Sequence, residues 1–222
     1  MRRSGWLMLG VVATSAAVIG PLPALAERHF AAHMIQHLVL TLIAAPLFVL
    51  GAPVATLLHA TSGAARRALG RFARSRAVAA LTHPLTAWTF FGAVMWLTHF
   101  SPLYEAALDD VFVHVLEHWL FLLAGFLFWT PVIGSDPITS RMLPWPARLG
   151  YLVAALPVQS FLGLAIYSAE RPLYDAYTDM DDQRAGALVM WLGGDLVFVV
   201  ALALVVGAWM RADRRQTTQL SA

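Results

Sequence analysis

The chain has 222 residues, of which 59% are hydrophobic and only 13% are charged, and its formal net charge is +2. This balance excludes an ordinary soluble domain and favours a polytopic membrane protein. The small net charge argues against a nucleic-acid partner, because the basic residues are spread over the segments between apolar runs. Cysteine is absent, so a metal site could use only histidine, methionine or carboxylate ligands.

The N-terminal segment, residues 1–26, has the three features of a secretory signal peptide. It begins with a basic Met-Arg-Arg, continues with an apolar run, and ends in Ala24-Leu25-Ala26. We predict a signal peptide that is cleaved after Ala26. The alternative is a retained first transmembrane helix, and in both cases Glu27 emerges on the outer face of the membrane.

Further apolar segments are long enough to cross a hydrocarbon core, which needs about 20 helical residues. They cover residues 33–58, 84–100, 111–133, 149–168 and 186–210. The predicted fold class is therefore all-α, a polytopic transmembrane helix bundle with five spans in the mature chain, or six if residues 1–26 are retained. We expect one transmembrane domain, residues 27–211, followed by a cytoplasmic tail, residues 212–222.

The charges of the loops alternate and thereby predict the orientation. Loops 59–83 and 134–148 carry arginines, whereas loops 101–110 and 169–185 are mainly acidic. Because cytoplasmic loops are enriched in basic residues, the acidic loops should lie outside. We expect a multi-pass protein of a bacterial inner membrane with its C-terminus in the cytoplasm.

This topology places six of the eight histidines on the outer side of the membrane. Three consecutive spans carry the following ones at their outer ends: His33, His37, His99, His114 and His118. Within the pairs His33/His37 and His114/His118, a spacing of four residues puts both imidazoles on the same helix face. Ionisable side chains inside a membrane are costly and tend to be functional. We predict that these imidazoles converge on one metal ion.

Glu117 adjoins His114 on the helix surface and is included in the predicted site. It could ligate the metal directly. We favour a supporting role, in which its carboxylate accepts the second ring N–H of a ligating histidine and fixes the tautomer of that ring.

Four other side chains could extend the site. Met34 and Met95 lie near the same level and offer thioether sulfur, which suits Cu(I). Asp195 offers a carboxylate from the last span. After cleavage behind Ala26, His29 would be the third residue of the mature chain, where backbone nitrogens and one imidazole form a square-planar set suited to Cu(II).

Imidazole ligation without thiolate does not identify the metal, since zinc, copper, iron and nickel all accept it. Copper handling is one use of such a site. A haem-binding protein of the cytochrome b type, with two axial histidines, is a second. A membrane-embedded zinc hydrolase is a third. No nucleophile motif accompanies the histidines, so we predict that the protein is not an enzyme.

An ordered set of motifs extends over nearly all of residues 29–210. It consists of His33-x-x-Gln36-His37, Pro46, Gly51-Ala52-Pro53, His99, Tyr104-Glu105-Ala106, His114-x-x-Glu117-His118, Phe128-Trp129-x-Pro131-Val132, Asp182-Gln183, Gly186, Met190-Trp191 and Gly194. In these motifs the chain resembles the CtaG family of cytochrome c oxidase assembly proteins, the branch associated with caa3-type oxidases.

The resemblance implies a membrane assembly factor for a haem–copper oxidase, which binds copper at the outer histidine cluster and helps to deliver it. It also implies two partners besides membrane lipid: an oxidase subunit that receives the copper and a periplasmic carrier that supplies it. Family members often have seven spans, whereas this chain supplies five or six.

Overall fold

The computed structural model describes residues 3–138 and 142–220, and this part of the chain is predominantly helical. The α-helices are α1 (Arg3–Val18), α2 (Pro21–Ala26), α3 (Phe30–Leu38), α4 (Ala45–Gly51), α5 (Pro53–Ala60), α6 (Gly63–Ala73), α7 (Arg76–Leu81), α8 (Pro84–His99), α9 (Leu103–Asp109), α10 (Val111–Ile133), α11 (Trp145–Tyr167), α12 (Met180–Leu188) and α13 (Gly194–Leu220). Two π-helical segments, Val39–Ala44 and Val189–Gly193, join α3 to α4 and α12 to α13. The predicted all-α helix bundle is confirmed.

Among the described residues, five stretches are long and apolar enough to cross a membrane. They are Arg3–Ala26, Phe30–Ala60, Val111–Ile133, Trp145–Tyr167 and Met180–Thr217. The N-terminal segment is thus helical, and three of the predicted spans begin earlier than hydropathy indicated. Arg141, one of the basic residues in loop 134–148, lies outside the described residues.

The predicted span 84–100 corresponds to α8, which is too short to belong to those five. Its 16 residues give a length of about 24 Å, against about 30 Å for a bilayer core. The helix nevertheless connects the two ends of the bundle. Just before it, Thr82 donates a hydrogen bond to the carbonyl oxygen of Ile138, beyond the end of α10. In its last turn, the ring of His99 contacts that of His37 near the start of α3.

Several segments that the sequence indicated as loops contain short helices. Loop 59–83 holds α6 and α7, loop 101–110 holds α9, and α12 already begins at Met180. Hydropathy missed these helices because it detects apolar runs, and for the same reason it placed the start of the last span at residue 186. Such helices depend on capping, as where the carboxylate of Asp179 accepts the amide N–H groups of Asp181 and Asp182.

The N-terminal helix α1 packs along the first π-helical segment and α4. Gly10 makes this approach possible, because a Cβ there would lie 3.1 Å from the ring of Phe48. The buried side chain of Gln36 donates a hydrogen bond of 2.8 Å to the carbonyl oxygen of Ala17. If residues 1–26 are retained as a first transmembrane helix, that helix must pack on the bundle in this way.

The helix that contains Pro46 includes the π-helical segment Val39–Ala44 just before this proline. In this register the carbonyl group of Thr41 faces position 46, where proline has no N–H to donate. The indole of Trp129 on α10 donates to that carbonyl oxygen instead, at 3.0 Å. Gly125 permits the contact, since a Cβ there would lie 2.5 Å from the same oxygen. The helix that carries His37 is therefore held tightly against α10.

The two ends of the bundle carry different charged residues. The histidine end comprises the starts of α3, α10 and α12 and the last turn of α8, and it contains His33, His37, His99, His114 and His118. The arginine end comprises α6, α7 and the start of α11, and it contains Arg66, Arg67, Arg71, Arg74, Arg76 and Arg148.

Candidate metal centre

Five imidazoles from three helices form one continuous cluster at the histidine end. The distances between ring centroids are 4.5 Å for His33–His37, 4.4 Å for His114–His118, 5.3 Å for His33–His114, 5.7 Å for His37–His99 and 6.2 Å for His37–His118. Glu117 lies between them on α10. The structure thus brings together all six residues of the predicted site.

The innermost part of the cluster consists of His33, His37 and Glu117. The two Nε2 atoms are 3.0 Å apart, and Glu117 Oε2 lies 3.9 Å from that of His33 and 3.8 Å from that of His37. One ligand atom from each residue falls within 4.8 Å of the others. Two nitrogen ligands on one tetrahedral ion would be about 3.3 Å apart. The three side chains could therefore share one ion with little movement.

Many ligand atoms of the cluster are buried without a hydrogen-bond partner in the described part of the chain. They are His37 Nδ1, His99 Nε2, His114 Nε2, His118 Nε2 and both carboxylate oxygens of Glu117. Buried polar atoms in folded proteins are almost always paired, and a group of unpaired ones is typical of a site that binds an ion. A cluster in which unpaired lone pairs converge has the donor set of a cation site.

The tautomer of His33 follows from its contact with Tyr177. The Tyr177 hydroxyl donates its one proton to the carbonyl oxygen of Ala26, and burial raises the pKa of this phenol, so the proton stays in place. The hydroxyl oxygen, 3.0 Å from His33 Nδ1, must then accept the ring N–H. His33 Nε2 therefore carries a lone pair, which accepts the Nε2–H of His37 at 3.0 Å and faces Glu117.

His99 is fixed in the same tautomer by its own helix. Its Nδ1 lies 2.7 Å from the carbonyl oxygen of Met95, and a carbonyl oxygen can only accept, so this nitrogen carries the proton. Its Nε2 has a free lone pair and is buried. Two of the five imidazoles are thus held in the state that a metal ligand requires.

Three tyrosines lie over the imidazole cluster at the histidine end of the bundle, and we call them the tyrosine roof: Tyr104, Tyr174 and Tyr177. Tyr104 lies 5.2 Å from the ring of His33 and 4.1 Å from that of Tyr174. The Tyr174 hydroxyl donates to the carbonyl oxygen of His99 at 3.0 Å. Burial raises the pKa of Tyr104 and Tyr174, so both stay neutral. Sequence reasoning missed the roof, and only Tyr104 had a signal, as part of a quoted motif.

The position of Glu117 differs from the supporting role that we favoured. Its carboxylate faces the Nε2 atoms of His33 and His37, which are also the atoms that face each other. The acceptor for the second ring N–H of His33 is Tyr177. This geometry assigns Glu117 to the candidate ligands.

The four additional candidates have other surroundings. Met34 and Met95 are buried in the hydrophobic core. Asp195 accepts a hydrogen bond of 2.8 Å from Ser160 on α11. The side chain of His29 is 57% exposed and lies 4.0 Å from Asp182. The described contacts of these residues provide no reason to add them to the site.

The fold and the cluster together define an integral membrane protein with a buried imidazole–carboxylate site at one end of its bundle. The cytochrome c oxidase caa3 assembly factor family, Caa3_CtaG, matches residues 1–212. The chain belongs to this family, which confirms the resemblance found in its motifs.

Similar proteins occur in mycobacteria. Uncharacterized proteins of Mycobacterium bovis and Mycobacterium tuberculosis are each 30% identical over 203 residues, which cover 84% of this chain and 31% of the relative. One of Mycobacterium leprae is 29% identical over the same length. The chain therefore spans just under a third of these relatives. No solved structure matches it.

Proposed function

We propose that this assembly factor binds copper at the cluster of His33, His37, His99 and Glu117 and passes it to a haem–copper oxidase during assembly of the enzyme. The observation that carries the proposal is the set of buried, unpaired ligand atoms. A group of this kind costs stability unless an ion pairs with it. In a member of an oxidase assembly family, binding of the metal that such oxidases need is the best explanation of this cluster.

Copper is favoured over the two other uses of the cluster. The Nε2 atoms of His33 and His37 face each other at 3.0 Å, which leaves no slot between them for a haem macrocycle. A zinc hydrolase would need polar helpers, and three polar side chains of the bundle bond to its own framework. Ser101 accepts the N–H of Leu103, Ser168 donates to the carbonyl oxygen of Leu164, and Asp195 accepts a hydrogen bond from Ser160. The proposed role is accordingly non-catalytic.

The proposed orientation follows from the separation of charges between the two ends. Arginines gather at one end, so this end is placed in the cytoplasm of a bacterial inner membrane and the histidine end outside. Copper would then arrive from a periplasmic carrier and leave to an oxidase subunit in the outer half of the bilayer. The ion keeps its charge during transfer, and one bond to a new ligand replaces each bond that breaks.

Metal analysis of the purified full chain in detergent tests the proposal. We expect copper in an amount equal to the protein, and its loss in the double variant His33→Ala/His37→Ala. The matched control is His59→Ala/His83→Ala, which removes two imidazoles outside the cluster and should keep the copper. A haem absorption band, zinc in place of copper, or no metal in the unaltered protein would each overturn the copper proposal.

Delivery is tested in cells that lack this protein. We expect the copper content of the terminal oxidase to fall, and to recover with the control variant His59→Ala/His83→Ala. The variant His33→Ala/His37→Ala, at equal abundance in the membrane, should not restore it. Full recovery with that variant would show that assembly needs the protein as a scaffold and does not need its metal site.

A further inference from the structure

The five imidazoles differ in their access to the surroundings of the protein. His33, His37 and His99 are each no more than 2% exposed, and the tyrosine roof contacts His33 and His99. His114 and His118 are half-buried, although their Nε2 atoms are buried and unpaired within the described residues. The cluster thus has an enclosed inner group and an accessible outer pair, His114 and His118.

The outer pair lines a cleft of about 350 Å³ between α1–α2 and α10. Val115 and Trp119 line the cleft on the side of α10, and Thr14 lines it on the opposite side. The hydroxyl group of Thr14 is buried without a partner in the described structure, and the exposed Glu27 also borders the cleft. Unpaired polar atoms are unusual in a groove that faces lipid, and here they border a path towards the cluster.

This lateral cleft leads to the inner group through neighbouring imidazoles. The ring of His114 stacks on that of His33 with centroids 5.3 Å apart, and the ring of His118 lies 6.2 Å from that of His37. From directly above, Tyr104 and Tyr177 contact His33 and block this approach. The cleft therefore gives an approach to the cluster that the tyrosine roof does not cover.

We propose that copper reaches the site sideways, through the lateral cleft, and is taken up first by His114 and His118 and then by the inner ligands His33, His37, His99 and Glu117. The inference rests on the proposed copper function and extends it to the route of loading. Each transfer forms a bond from copper to an inner nitrogen while a bond to an outer nitrogen breaks. No electron moves, and the Glu117 carboxylate balances one positive charge of the ion.

The route requires that the N-terminal helix stays in place, because Thr14 of α1 forms one wall of the cleft. The packing of Gly10 on Phe48 and the hydrogen bond from Gln36 to Ala17 both support retention. The intact mass of the purified protein should therefore include residues 1–26. A mature chain that begins at Glu27 would lack this wall, and the proposed route would be overturned.

Blocking the cleft tests the route directly, and the absence of native cysteine makes selective labelling possible. Val18 lines the cleft, whereas Val12 on the same helix is 58% exposed and is not part of the lining. The variants Val18→Cys and Val12→Cys are each alkylated with a bulky maleimide. Uptake of Cu(I) from its coloured bicinchoninate complex is then followed by stopped-flow absorbance and at equilibrium.

We expect the label at position 18 to slow uptake at least about tenfold and to leave the final copper content unchanged. The label at position 12 should change neither quantity. Equal uptake rates for both labelled proteins, with normal final copper, would overturn the route and leave the copper site intact. Failure of the unlabelled protein to take up copper would instead overturn the proposed function, and the route with it.

A second variant tests the order of the ligands. His114→Ala/His118→Ala should load slowly and still reach the normal copper content, because the inner group is unchanged. If this variant takes up copper at the normal rate, or if its copper content at equilibrium is reduced, His114 and His118 are not the first ligands on the route.

Discussion

Two helices of the bundle are built alike and differ in how their buried polar groups are paired. Each begins with nine α-helical residues, from Phe30 and from Met180, and each continues through a π-helical segment into another α-helix. The fourth residue is His33 in one and Gln183 in the other. Both side chains are buried.

Gln183 uses both ends of its amide within the framework. Its oxygen accepts the N–H of Leu173 at 2.8 Å, and its nitrogen donates to the carbonyl oxygen of Ile166 at 3.4 Å. Both ring nitrogens of His33 also have partners, but its Nε2 faces the carboxylate of Glu117, whose two oxygens have none within the described residues. Burial alone therefore does not identify a functional polar group, whereas convergence of unpaired atoms does.

The largest expected effect, on copper affinity, comes from removing the negative charge of Glu117. In Glu117→Gln, a neutral amide of similar shape replaces a carboxylate that has no hydrogen bond within the described residues. We expect copper affinity to fall about 100-fold, measured by competition with a chelator. The metal-free variant should unfold no more easily than the unaltered protein, since a buried unpaired charge has been removed. A clear loss of metal-free stability would indicate a structural role for this carboxylate.

Gly125 and Gly163 allow the close approach at the two π-helical segments. A Cβ on Gly125 would lie 2.5 Å from the carbonyl oxygen of Thr41, and one on Gly163 would lie 2.6 Å from Cβ of Trp191. We expect each alanine variant to lose about 3 kcal/mol of stability through overpacking. Only Gly125→Ala should also weaken copper binding, because it separates α10 from the helix that carries His37. Equal copper affinities would contradict this coupling.

For Gln183→Ala we expect the opposite of Glu117→Gln: a loss of stability without a loss of copper affinity. The substitution leaves the N–H of Leu173 and the buried carbonyl oxygen of Ile166 without their partner, which we expect to cost about 2 kcal/mol in the free energy of unfolding. Copper content and affinity should be unchanged, because the amide lies outside the cluster. Denaturant unfolding and chelator competition on the same preparation measure both quantities, and a parallel loss of copper would remove the contrast between the two helices.

The smallest effect is expected where a side chain donates to the free carbonyl group of a π-helical segment. Trp129→Phe removes the donor to Thr41, and Gln159→Leu removes the donor to Met190, which lies 2.9 Å from the amide nitrogen. Each change should lower stability by about 1 kcal/mol. Thermal unfolding of the two variants should give similar shifts, and a neutral Trp129→Phe would show that the carbonyl of Thr41 needs no partner.

Local patterns were sufficient to predict the helical bundle and the membership of the cluster. A spacing of four residues puts His33 beside His37, and His114 beside His118, whatever the surrounding fold. The shared depth of the imidazoles followed from hydropathy and from the charges of the loops. These features depend on neighbouring residues, so they can be read from one sequence.

The remaining features depend on contacts between distant parts of the chain. Tyr177 is 144 positions from His33, and nothing in its own loop indicates that its hydroxyl would fix an imidazole tautomer. The π-helical segments lie in uniformly apolar stretches, where no change in periodicity marks an altered register. Which nitrogens the Glu117 carboxylate faces likewise depends on how the helix with His33 and His37 lies against α10.

The short helix α8 has a consequence for the lipid around it. Its 16 residues cover about 24 Å, which is less than the roughly 30 Å of a bilayer core, and it still connects both ends of the bundle. Thinning of the bilayer is one way in which a membrane matches a short helix. Thinning beside α8 would bring the headgroups closer to the end that carries His99 and so to the histidine cluster.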